Sequence, residues 1–154
     1  MTDTFNEISN QIGALAVRVD ARDWRGLLAL FDTHVRIDYT SLFGGEAQTM
    51  TADDLIGTWR RLLPGFTHTS HLIGAPTVKV DGDRAEACAP VTAWHAITDQ
   101  VVEGGGIWIV HGCYDVVFVK RHGGWRLATL VLARAWVEGN PELPKLAAER
   151  AARS

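Results

Sequence analysis

The half of the chain after Pro64-Gly65 restricts the fold most, because nearly all of it reads as extended strand. Thr67 to Val80, Ala85 to Ile97, Ile107 to Arg121 and Trp125 to Val137 are rich in β-branched and aromatic residues with stretches of alternating polarity. The first of these is kinked around Gly74 to Pro76. Between them lie a turn at Asp81-Gly82-Asp83, a loop from Asp99 to Gly106 and a tight turn at His122-Gly123-Gly124. Strands joined this closely pair antiparallel, so the segment predicts a meander.

The half before it is mainly helical. Phe5, Ile8, Ile12, Leu15, Ala16 and Val19 recur at three and four residues, which predicts helix from about Thr4 onward to Leu30. Asp23 can cap a second helix carrying Trp24, Leu27, Leu28, Leu30 and Phe31, with Asp32-Thr33 as its end. Val35, Ile37 and Tyr39 alternate with Arg36 and Asp38 as a half-buried strand. Ser41 to Met50 reads as a loop or short hairpin. Thr51 caps a helix with Leu55, Ile56, Trp59, Leu62 and Leu63, which stops at Pro64-Gly65. The residues from 141 to 154 form a tail or a short amphipathic helix. Helices first and strands afterwards predict a single α+β domain, its helices packed on one face of a curved sheet. The concave face of such a sheet, closed by helices, is a natural small-molecule pocket.

Composition narrows the function classes. A net charge of -3 supplies no basic surface for nucleic acid or an anionic membrane. No run approaches the ~20 apolar residues of a membrane span. Met1-Thr2-Asp3-Thr4 lacks the basic and apolar parts of a signal peptide, so a cytoplasmic protein is expected. Cys88 and Cys113 fall inside predicted strands without metal or redox spacing, and are expected to be buried free thiols. Gly104-Gly105-Gly106 joins strands and has no following helix, so it is not a nucleotide loop. The six histidines include no HExxH pair, and zinc needs three or four convergent ligands. No metal and no cofactor are expected.

The chemistry concentrates in Thr67-His68-Thr69-Ser70-His71. Imidazole exchanges protons near neutral pH, and His68 and His71, three apart on a strand, face opposite ways. Asp20 borders the apolar stripe of the first helix. It either serves chemistry or sits on the surface, pairing with Arg18 or Arg22. His95 shares a face with Val91 and Ala93, as a satisfied core histidine or as an acid for a leaving group. Tyr39 and Tyr114 can each donate a hydrogen bond to an oxygen gaining charge, or simply fill a wall. His111 falls on the face opposite Tyr114, and His34 and His122 read as loop surface. Trp59, Trp94 and Trp108 are candidates for the cavity wall.

One set of residues carries a resemblance: Asp20 with Arg22-Asp23-Trp24, Arg36-Ile37-Asp38-Tyr39, His71 with Ile73-Gly74, His95, and Gly123-Gly124-Trp125 with Trp136 beyond. From about Ile12 to Gly139 the chain resembles the SnoaL-like branch of the NTF2-like superfold. More narrowly it is similar to the scytalone dehydratases, and more loosely to the hexachlorocyclohexane dehydrochlorinases. The resemblance implies a cone of curved antiparallel or mixed sheet covered by N-terminal helices. It implies that Asp20 and His71 form an Asp-His dyad, and that Tyr39 and His95 take the places of the dehydratase's tyrosine and second histidine. Val19 stands where the dehydratases have another tyrosine. Gly112 and Tyr114 stand where they have a serine and an asparagine, a Gly-x-Tyr closer to the dehydrochlorinases. The implied activity is a cofactor-independent lyase acting on a small hydrophobic, cyclic or aromatic substrate. Tyr114, Val19, Trp59 and Trp108 would contact it, and the working form would be a homotrimer in preference to a dimer. Isomerase or cyclase chemistry on a ketone is the alternative enzyme reading. A ligand-binding module without catalysis is the other class.

Overall fold

The computed structural model describes residues 3–154. Helix α1 spans Thr4–Asp20, with Asp3 accepting the Phe5 amide as its cap. Ile8, Ile12, Leu15 and Val19 form its buried stripe. The helical run breaks at Arg22, whose φ of 57° is left-handed, and Asp23 then caps α2, Trp24–Leu28, through the Gly26 amide. Strand β1, Phe31–Asp38, begins earlier than periodicity predicts, and takes in Asp32 and Thr33. The reason is a partner far along the chain: the Leu30 carbonyl accepts the Leu127 amide at 2.9 Å, drawing the segment into the sheet.

The predicted loop from Ser41 to Met50 is more ordered than expected. It contains α3, Thr40–Phe43, and leads into β2, Gln48–Thr51, which pairs antiparallel with β1. Helix α4, Ala52–Arg60, is capped by Thr51, and a 3-10 turn follows at Leu63–Gly65. The kinked strand resolves into β3, His68–Ile73, and β4, Thr77–Asp81. Both pair with β5, Arg84–Ala96, on either side of Pro90, whose carbonyl accepts the Gly74 amide. Strands β6, Ile107–Arg121, and β7, Gly124–Gly139, complete the meander. Gly123 and Gly124, with φ of 92° and 124°, make the turn between them. His34 lies exposed in β1, not in a loop.

The sheet order is β2-β1-β7-β6-β5-β3, with β4 also on β5. The meander is antiparallel, but β1 joins β7 in parallel, so the sheet is mixed. The long excursion between β1 and β7 permits this, since parallel neighbours need a crossover and cannot be joined by a tight turn. The core lies between the inner face of this sheet, where Phe118, Leu127 and Leu130 are fully buried, and helices α1 and α4. Helix α5, Leu143–Arg153, buries Leu143 and Ala147 against the 3-10 turn. Among the described residues no helix is long and apolar enough to cross a membrane.

Candidate active site

Asp20 is the last residue of α1, where the negative end of the helix dipole disfavours an acid. Three donors offset that. Its Oδ1 accepts from His71 Nδ1 at 2.8 Å and from the Thr69 hydroxyl at 3.0 Å, and its Oδ2 accepts from the His71 backbone amide at 2.7 Å. Burial alone would raise its pKa, but the His71 and Thr69 bonds outweigh it and hold the carboxyl below the usual carboxylate range. Asp20 is therefore charged at neutral pH, and it draws the proton of a neutral His71 to Nδ1. That leaves the Nε2 lone pair of His71 free.

Strand alternation aims the imidazoles. Thr69, His71 and Ile73 are the half-buried positions of β3, while His68, Ser70 and Leu72 are exposed. On the neighbouring strand Ala93 faces His71, and His95 faces Thr69. The His71 and His95 rings lie edge to face, their centroids 5.5 Å apart. His95 is 5% exposed and flanked by Phe66 and Trp108, at 4.9 and 4.6 Å between centroids. Its Nδ1 lies 3.2 Å from the Trp108 carbonyl, which can only accept, so Nδ1 carries the proton. Burial, reinforced by His71, lowers its pKa to about 4. At neutral pH His95 has no spare proton to give a leaving group, and its Nε2 is an acceptor.

This depressed value sets a pH dependence of stability. Unfolded, His95 titrates near 6.5. Folded, it stays neutral down to about pH 4, so protons favour the unfolded chain between those values. The contribution is fully present above about pH 6.5 and is lost as pH falls through 4, by roughly 3 kcal/mol. Asp20 acts in the same sense at lower pH. Melting curves recorded from pH 7 to pH 4 should show Tm falling steeply, and His95→Gln should flatten that fall.

His71 and His95 open into a cavity of about 270 Å³ between α1, α4 and the inner face of the sheet. Val19, Tyr39, Trp59, Trp108 and Tyr114 all line it, with aliphatic side chains completing the wall. Tyr39 sits just past the end of β1 yet still points inward. Burial, and then Tyr114 beside it, push the Tyr39 phenol well above its ordinary pKa. Burial pushes Tyr114 up to about 12. Both are neutral hydrogen-bond donors, and the Trp59 indole lies next to Tyr39. Trp94 does not line the cavity. It alternates with Ala93 and His95 and stands 39% exposed on the outer face. His111 is also on that face, stacked on Trp136 and bonded to Glu138 at 2.7 Å.

A family model described as "SnoaL-like domain" matches residues 3–131. The chain belongs to the SnoaL-like family. Among solved structures this SnoaL-like chain is similar to the Kfla4162 protein of Kribbella flavida, at 28% identity and a TM-score of 0.86, covering 92% of this chain and 97% of that one. At 20% identity it is similar in fold to a Novosphingobium aromaticivorans protein provisionally assigned as a scytalone dehydratase, with a TM-score of 0.71 and 86% and 85% of the two chains covered. A hexachlorocyclohexane dehydrochlorinase (LinA) of type 2 shares the fold at 16% identity, with a TM-score of 0.67 and 86% of each chain covered. A comparison with curated proteins finds no match.

At the candidate site, the contacts of two residues escape sequence reasoning. Thr69 donates to Asp20 and accepts from Arg22 at 2.8 Å, so its hydroxyl proton has one direction to point. Arg22 also donates to the carbonyls of Val19 and Leu63, at 2.9 Å each. It does not pair with Asp20 at the surface. These bonds hold Arg22 in a backbone region that costs a non-glycine residue ~1–2 kcal/mol. The signal available in sequence is the Ala21-Arg22-Asp23 break between two helices, which marks a tight connection without saying what the arginine reaches.

Proposed function

We propose that the cavity is the active site of a cofactor-independent lyase. It would eliminate water from a small hydrophobic, cyclic or aromatic substrate whose departing proton is acidified by a neighbouring carbonyl. The observation that carries this reading is the 2.8 Å contact between Asp20 Oδ1 and His71 Nδ1 at the wall of an apolar chamber. A carboxylate in that position orients the imidazole and stabilises the imidazolium that forms when Nε2 takes a proton from carbon. Tyr39 and Tyr114, neutral and half-buried, donate to the carbonyl oxygen as it becomes an enolate. His95 Nε2 accepts a hydrogen bond from the departing hydroxyl and fixes its direction. The proton held by His71 then passes to that hydroxyl, and water leaves. The low-identity likeness to the dehydratase and dehydrochlorinase folds is compatible with this reading but does not choose the reaction.

A thermal-shift screen of cyclic β-hydroxyketones and phenols should find ligands, because binding to the native state raises Tm. Product analysis of the hits by mass then separates loss of water from isomerisation, which leaves the mass unchanged. A hit turned over equally well by His71→Ala would remove the mechanism.

Tyr39→Phe tests the oxygen-binding part. It deletes one donor and keeps the ring, so kcat should fall roughly 10²-fold with KM little changed. Steady-state kinetics on any confirmed substrate measure this, and an unchanged kcat would assign Tyr39 to the wall alone.

A further inference from the structure

Cys88 and Cys113 lie far apart in sequence and show no redox spacing, yet their sulfur atoms stand 2.7 Å apart. Both project from the outer face of the sheet, away from the cavity. Cys88 alternates with the buried Ala87 and Ala89 of β5. In the β5–β6 register Cys88 faces Asp115 and Cys113 faces Pro90, so the cysteines are diagonal neighbours. In a regular pair such neighbours have Cα atoms ~7–8 Å apart, beyond the usual reach of a disulfide. Here the pairing of β6 with β7 is irregular between His111 and Cys113, and a bulge increases local twist. The sulfurs are closer than non-bonded atoms rest, ~3.5–4.0 Å for carbon, but farther apart than the ~2.05 Å of a covalent S–S bond. Access is one-sided. Cys113 is 8% exposed, whereas Cys88 is half-buried and borders a groove of about 420 Å³ that also holds Lys79, Glu86 and Asp115.

We propose that Cys88 and Cys113 form a reversible oxidation site, closed to an intramolecular disulfide by exchange with a low-molecular-weight disulfide of the glutathione class. The Cys88 thiolate attacks one sulfur of the incoming disulfide, forming a mixed disulfide and releasing one small thiolate. The Cys113 thiolate then attacks Cys88 Sγ, forming the protein disulfide and releasing the second. The two cysteine protons go to the two departing thiolates. The cysteines are oxidised, and one small disulfide is reduced to two thiols. Hydrogen bonding first to Cys113 and then to Asp115 pushes the Cys88 thiol up to about 12, so exchange speeds up as pH rises. Closure staples β5 to β6 beside Tyr114, whose phenol lines the cavity.

The test uses the reduced full chain, incubated natively with oxidised glutathione and quenched with iodoacetamide. Expected results are loss of both alkylatable thiols, a mass lower by two hydrogens, a peptide pair joining Cys88 to Cys113, and a Tm several degrees above that of the reduced protein, reversed by dithiothreitol. In Cys113→Ser, Cys88 should stop at the glutathione adduct. Wild-type thiols that stay alkylatable, a persistent adduct on Cys88, or a disulfide between chains would overturn the proposal. Cys88, Cys113 and Asp115 also bring one donor atom each to within 4.8 Å of one another. One equivalent of zinc retained through desalting, with no disulfide formed even after chelator treatment, would make the trio a metal site instead.

Discussion

Asp20→Asn is expected to lower turnover by roughly three to four orders of magnitude while the protein stays folded. The argument is geometric. Asp20 accepts from three donors, and an amide has one oxygen and one NH2 group. If the amide oxygen faces the ring and Thr69, its NH2 meets the His71 backbone N–H, donor against donor. If it turns over, its NH2 faces His71 Nδ1 and forces the ring proton to Nε2, removing the lone pair from the cavity. Either orientation loses the negative charge that stabilises imidazolium. One opposed donor pair costs on the order of 1–3 kcal/mol of stability, a small part of what a domain this size holds. Measuring kcat on a confirmed substrate beside a thermal melt separates the two effects. A folded Asp20→Asn variant with wild-type kcat would reduce the dyad to a structural contact.

The largest expected effect on stability lies away from the cavity. Gly65→Ala should destabilise the protein by roughly 3 kcal/mol, a fall in Tm of about 10 °C. A Cβ there would collide with the backbone carbonyl of Ala147 in α5. Backbone cannot swing aside as a flexible side chain can, so α5 must lift from the turn. The bond from Arg150 Nε to the Gly65 carbonyl, at 2.8 Å, would go with it. Gly13→Ala is the control. It lies within α1 with nothing within 4 Å of the added carbon, and should stabilise by about 0.5–1 kcal/mol. Melting curves of the two variants decide the matter, and equal Tm values would mean that α5 does not depend on the close approach.

The parts of the site that were legible in the chain are those set by local period. Alternation sets His68 and His71 on opposite faces, with the resemblance choosing His71 as the inward one, puts His95 with Ala93, and leaves His111 on the far face. Trp94 was read as a wall candidate and stands outside the cavity, because it is one residue from both Ala93 and His95 and so faces the other way. Tyr39 follows Val35 and Ile37 by twos. Asp20 was legible as an acid bordering an apolar stripe, and its pairing with His71 was expected from resemblance. The Arg22 and Thr69 contacts were not legible, because a turn between helices does not announce which distant carbonyl its arginine meets. Gly65 reads as a helix stop, yet what requires a glycine there is a carbonyl of α5.

By itself, the amino-acid sequence determined the main helices, the antiparallel meander and the alternation of faces along its strands, since these follow from periods of two and 3.6 residues and from turn chemistry. Only the tertiary structure decided that β1 enters parallel to β7, that His95 stays neutral between two aromatic rings, and that two cysteines on neighbouring strands touch. Each of those depends on twist, on register or on the packing of segments far apart in the chain. Such distances are set by how whole layers settle together, and no local pattern encodes them.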